Sequence, residues 1–185
     1  MRRWLAILIA ALAFGALSGG AAYHKVRAQD ASGGDAHWRE IIWPYPRDAW
    51  PAGRAFRCDA EACGGAVEVY VRPKIGFCNC DSGVADDDEV DRVADLDLIS
   101  QRFVPTEAGR AVRVADMAGR ARNYDLSMPD GSQHAATGIA LSHRCDLLVA
   151  VAQGERAAPD LQRIALGFLA SDDIHHWMMA SLGGH

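Results

Sequence analysis

Between Ala66 and Arg72 the chain alternates. Val67, Val69 and Val71 are apolar and Glu68, Tyr70 and Arg72 polar, the two-residue period of a strand with one buried face. A shorter strand is expected just before it, at Arg54–Cys58, with a loop between the two. After it the period lengthens. Val90, Val93, Ala94 and Leu98 recur at helical spacing, and Asp86, Asp87, Asp88 and Glu89 load that helix's first turn with the negative charge its dipole favours. Beyond Pro105 strands return, at Ala111–Met117 and Arg120–Ser127, joined by a sharp change of direction near Ala118-Gly119. Past the turn signal Pro129-Asp130-Gly131 another strand follows at about His134–Leu141. Ser142–Arg144 reads as a tight turn. Cys145–Ala152 is apolar on both faces, which predicts the central strand of the sheet. Leu161, Ile164, Ala165, Phe168 and Leu169 then take the i, i+3, i+4, i+7, i+8 spacing of a core-facing helix that starts near Pro159. Ser171 caps a short final helix. Strands in hairpin order, interrupted by helices, predict an α+β fold: a mainly antiparallel sheet with helices packed on it.

The N-terminus carries a different pattern. Arg2 and Arg3 precede an uncharged run from Trp4 to Tyr23, and His24, Lys25 and Arg27 follow it. Residues 1–28 therefore read as a signal anchor or a signal peptide. In the first case an N-terminal membrane helix is retained; in the second the segment is cut near Ala22 or after Ala28. Either places the remainder outside the cytoplasm, anchored in the inner membrane and facing the periplasm, or secreted to the periplasm. Residues 29–52 read as a linker arm, flexible over Gln29–Asp35 and then rich in Pro and Trp. There Trp38, Trp43, Tyr45 and Trp50 alternate with Pro44, Pro46 and Pro51. Such an arm can dock a protein partner or pack across the domain's own core; burial of tryptophan favours packing. The prolines keep it out of a central strand. Residues 53–185 form a single exported domain.

Composition narrows the function classes. Half of the 185 residues are apolar, enough for a packed core. The net charge is −5, but four of the nineteen basic residues lie in the leader, leaving fifteen against twenty-four acidic ones, a charge of −9 from Gln29 onward. That balance argues against nucleic acid as a partner. No Gly-x-Ser-x-Gly, His-Glu-x-x-His or phosphate-binding glycine loop is present, so no catalytic residue is assigned and the reading leans away from an enzyme. The acidic run Asp81–Asp97 lacks the alternating oxygen ligands and closing glutamate of a calcium loop. A solvated helix start explains it.

The cysteines are the remaining chemistry. Cys58, Cys63, Cys78, Cys80 and Cys145 in an exported domain predict two disulfides and one spare thiol. The expected set is Cys58 with Cys63, and Cys145 with Cys78 or, as the alternative, Cys80. A competing use is open to Cys78-Asn79-Cys80, whose two thiolates on a tight turn suit Cu(I) or Zn, or thiol–disulfide exchange. His175, His176, Met178, Met179 and His185 gather near the C-terminus, and the two adjacent histidines are a further candidate metal pair. Against this, Ile174, Trp177 and Met178 share one helix face, where the methionine packs rather than ligates.

The order of elements, closing on an apolar strand and a helix ending Gly167-Phe168-Leu169-Ala170-Ser171, resembles the PsbP-like and DcrB-like exported domains over roughly Ala52–Ser171. The resemblance implies an α/β/α sandwich on an antiparallel sheet, with binding or assembly roles outside the cytoplasm. The expected function is thus a membrane-anchored, extracytoplasmic accessory or binding domain. A periplasmic metal-binding or thiol-redox protein using Cys78 and Cys80 is the alternative.

Overall fold

The computed structural model describes residues 37–183 apart from Arg47, Phe77, Cys78 and Arg156; the signal or membrane-helix segment expected at residues 1–28 lies outside the described residues. Among the described residues, alternating and doubly apolar stretches build eight strands: β1 (Trp38–Ile41), β2 (Arg54–Cys58), β3 (Val67–Lys74), β4 (Phe103–Pro105), β5 (Arg110–Val114), β6 (Met117–Ser127), β7 (Gln133–His143) and β8 (Asp146–Gly154). They form one sheet in the order β1-β2-β3-β8-β7-β6-β4, with β5 also paired to β6. Every pairing is antiparallel. The strand without a polar face, β8, lies at the middle of that order, with Leu147 to Gly154 buried.

Helices cover both faces. α4 (Ala158–Leu169) and α5 (Asp172–Leu182) close one face, where Leu161, Ala165, Phe168, Ile174 and Met178 join Val67, Val69, Val71, Ile139 and Leu148 in a single core. On the other face, α2 (Asp87–Val93) and α3 (Leu96–Ile99) bury Val90, Val93, Leu96 and Ile99 against Tyr70, Tyr124, Val149 and Val151. The fold is an α+β sandwich with a core on each side of the sheet.

Several local expectations are corrected. The helix expected to run from Asp86 through Leu98 is two helices, because Ala94 turns extended at ψ 126° and Asp95 swings under the sheet to meet Arg72 and Lys74. Leu96 and Ile99 then take the buried places and Leu98 is only half-buried. The change of direction foreseen at Ala118-Gly119 occurs at Ala115-Asp116, with Ala115 at φ 50°. Gly119 lies inside β6, where a Cβ would come within 1.9 Å of the Ala140 carbonyl oxygen. Close strand approach, not a turn, demands that glycine. Cys145 sits in the exposed β7–β8 turn instead of opening β8. The loop after Cys58 contains a short helix, α1 (Ala60–Cys63). Ser171 stands at the N-cap of α5, but its buried hydroxyl makes no hydrogen bond among the described residues.

Among the described residues, two disulfides staple this framework. Cys58–Cys63, with an S–S distance of 2.01 Å, holds α1 to the end of β2. Cys80–Cys145, at 2.14 Å and a Cα separation of 4.3 Å, ties the turn after β3 to the β7–β8 turn. The second spans 65 positions of sequence. Chain entropy assigns a closure of that length a stabilisation of about 4 kcal/mol.

Candidate functional site

The alternation in β3 has a consequence that its residue types conceal. Glu68, Tyr70, Arg72 and Lys74 point to one face, yet that face is covered too: Arg72 is 3% and Lys74 5% exposed. The cover is the arm between β1 and β2 together with the α2–α3 junction. Arm side chains alternate, so Ile42, Pro44 and Pro46 face solvent while Trp43 and Tyr45 turn toward the sheet. Both rings meet Tyr70, at centroid distances of 6.1 and 4.9 Å. Gly53 lets the arm cross β3 closely, since a Cβ there would lie 2.2 Å from the Val71 carbonyl oxygen.

Two polar groups occupy this covered stripe. In the first, Arg72 donates to two carboxylates. Its Nη1 and Nη2 lie 2.9 and 2.7 Å from the two oxygens of Asp48, and Nη2 is 2.6 Å from Asp95 Oδ1. Lys74 Nζ donates to the Val93 carbonyl at 2.7 Å and pairs with Asp95 Oδ1 at 2.8 Å. Trp43 and Trp50 lie near the two cations, with ring centroids 5.8 Å from Arg72 Cζ and 5.7 Å from Lys74 Nζ. Hydrogen bonds from Arg72 hold the Asp48 carboxyl down at about 2. Buried cations need this compensation, because removing one partner leaves a desolvated charge unpaired.

In the second group, Glu68 accepts from Tyr70, from Arg57 Nε at 2.9 Å and from Gln153 Nε2 at 3.1 Å. Burial pushes the Glu68 carboxyl up, but the Tyr70 and Arg57 bonds outweigh it and the net displacement is downward. Burial and the bond to Glu68 push the Tyr70 phenol up to about 12. Tyr45, half-buried with its ring against Tyr70, is displaced upward by burial as well. The side-chain amide oxygen of Gln153, Oε1, is buried and meets no partner among the described residues. Chemically the stripe offers ion pairing and directed hydrogen bonds around an ionised carboxylate and two cations. Its residues were legible only as the polar side of a half-buried strand. The one available signal was the density of Trp and Tyr in the arm, which requires a surface to cover.

The residues singled out from sequence lie elsewhere. Cys80 is bonded to Cys145, so its sulfur is not a free thiolate in this state, and Cys78 lies outside the described residues. His175 and His176 have ring centroids 6.4 Å apart. His175 Nε2 is 3.7 Å from Asp116 Oδ1, beyond hydrogen-bond reach, and His176 Nδ1 is 2.9 Å from the Asp172 carbonyl of its own helix. His185 lies outside the described residues. Met178 is fully buried in the core. Among the described residues no group of three or more His, Cys, Asp or Glu side chains is arranged to hold a metal ion. The acidic run also disperses. Asp86 caps α2 by accepting from Glu89 N, Asp87 turns to Arg120 and Gly109, and Asp91 turns to Arg122 and Tyr124.

No protein-family model and no curated protein matches the chain. Among solved structures, the crystal structure of PA94, a protein of unknown function from Pseudomonas aeruginosa, is similar over 78% of this chain and 94% of that chain, at 14% identity and a TM-score of 0.40. A likeness that distant carries neither fold nor function across.

Proposed function

We propose that the chain is an extracytoplasmic accessory or binding domain without catalytic activity, attached to the outer side of the inner membrane by its N-terminal apolar run or released from it into the periplasm. The observation that carries this reading is the pair of disulfides, Cys58–Cys63 and Cys80–Cys145. Both cysteines of the second are exposed. Glutathione and thioredoxin keep accessible thiols of this kind reduced in a cytoplasm, whereas an oxidising compartment preserves the bridge. The leader supports the same compartment, since a basic pair, Arg2 and Arg3, precedes the apolar run Trp4–Tyr23 as in signal and signal-anchor segments. A binding role is supported by the stripe on β3, which concentrates fixed ion-pairing groups beneath an irregular arm.

Fusion of a reporter enzyme that is active only after export, placed behind His185 and expressed in a bacterial host, tests the compartment. Activity is expected. A silent reporter, with a cytoplasmic reporter at the same position bright, would overturn it.

A further inference from the structure

The helix α3, the loop that leads from it to β4 and the turn from β6 into β7 surround a cavity of about 630 Å³, none of whose lining residues belongs to the β3 stripe. Small-molecule sites span about 300–1,000 Å³. Leu98, Met128 and Pro129 give the cavity apolar walls, and its charged lining is one residue of each sign, Asp97 and Arg102. Both are exposed. Among the described residues neither side chain takes a hydrogen-bond or ion-pair partner, and the two do not pair with each other. Nearby charges behave differently: Asp95 holds Arg72 and Lys74, Asp87 holds Arg120, and Asp91 holds Arg122. The backbone that carries Arg102 and Met128 is fixed. Ser100, 2% exposed, places its Oγ 2.9 and 2.6 Å from the carbonyl oxygens of Arg102 and Ser127 and accepts from Arg102 N at 3.1 Å. Ser127 N donates to the Arg102 carbonyl at 2.9 Å, and across the turn Met128 N donates to the Ser132 carbonyl at 2.9 Å. A ligand entering here therefore orders little beyond the two charged side chains, which lowers the entropic cost of binding.

We propose that this cavity binds a small apolar zwitterion, an α-amino acid or a short peptide with both ends free, its carboxylate on Arg102, its ammonium on Asp97 and its side chain against Leu98, Met128 and Pro129. A guanidinium takes a carboxylate through two parallel charge-assisted hydrogen bonds, and a carboxylate accepts from an ammonium. A simple anion would satisfy Arg102 but meet the charge of Asp97; a simple cation would meet the reverse. Only a ligand with both charges answers both groups. Its zero net charge also suits a domain with fifteen basic against twenty-four acidic residues from Gln29 onward, whose field repels anions. This assignment deepens, and rests on, the reading of the domain as a binding module. The export reporter tests that reading's compartment independently of the cavity, so the two failures are distinguishable.

The full chain, purified with its disulfides oxidised, is titrated calorimetrically with leucine, with leucylleucine, with N-acetylleucine, which lacks the ammonium, and with isoamylamine, which lacks the carboxylate. Saturable heat is expected with leucine, with the dipeptide or with both. Leucine alone identifies free amino acids as the ligand; the dipeptide alone identifies short peptides. Loss of either ligand charge should weaken binding about tenfold or more, the worth of one charged hydrogen bond. Arg102→Gln and Asp97→Asn, both at exposed positions, should each weaken it by about the same factor, whereas Arg113→Gln, on β5 and outside the cavity, should leave it unchanged. Should a variant fail to fold, the comparison of the four ligands on the wild type still decides. The proposal is overturned if neither leucine nor the dipeptide binds, if N-acetylleucine or isoamylamine binds as tightly as they do, or if both cavity variants bind like the wild type.

Discussion

At the scale of single residues, the Asp48 carboxylate forks onto both Nη atoms of Arg72 at 2.9 and 2.7 Å. In the sequence it is one acid in an irregular proline-rich arm, and Arg72 is one polar position on an alternating strand. Their pairing spans 24 residues and forms only when the arm folds back over β3. Periodicity reports which side chains share a face, not what later covers that face. The pairing has a pH signature. The Asp48 carboxyl is held at about 2 in the folded protein against an ordinary value of 3.8, so its contribution is fully present above 3.8 and is lost as pH falls through 2. Asp48→Asn should therefore flatten the acid limb of stability between those values, read from urea midpoints across a pH series. Parallel wild-type and variant curves would contradict the pairing.

At the scale of elements, what was legible depended on how local the cause is. The stripe of the helix α4 follows from its own spacing, and Leu161, Ala165, Phe168 and Leu169 are buried as that spacing implies. Phe168 lies between the rings of Trp38 and Phe56, at centroid distances of 4.3 and 4.8 Å. Phe168→Ala should cost about 3–5 kcal/mol of stability, whereas Arg163→Ala on the outer face should change it by less than about 0.5 kcal/mol in denaturant melts. Equal effects would refute the assigned face. The break between α2 and α3 was not legible, because its cause is a pair of cations on a strand some twenty residues earlier. Gly119 was misread for a related reason. A glycine in a turn and a glycine pressed against a neighbouring strand look alike until the register of β6 on β7 is known.

For the whole molecule, the run from Leu147 to Ala152 identified the middle of the sheet, since only a strand covered on both sides can be apolar on both. The layering followed from that strand and the two helical patterns. The staples were partly legible: a short loop favours Cys58–Cys63, but the choice between Cys78 and Cys80 for Cys145 turns on which one the turn after β3 presents to the β7–β8 turn, a matter of tertiary geometry. The proposed compartment and the account of the cysteines meet in one measurement. The protein exported from its natural leader is denatured without reductant, alkylated and mapped by peptide mass spectrometry. Five cysteines, with Cys58 linked to Cys63 and Cys80 to Cys145, predict one thiol, at Cys78. Recovery of that single label with those two linked peptides is the predicted result, and labels on three or more cysteines, or a Cys78–Cys80 link, would contradict it.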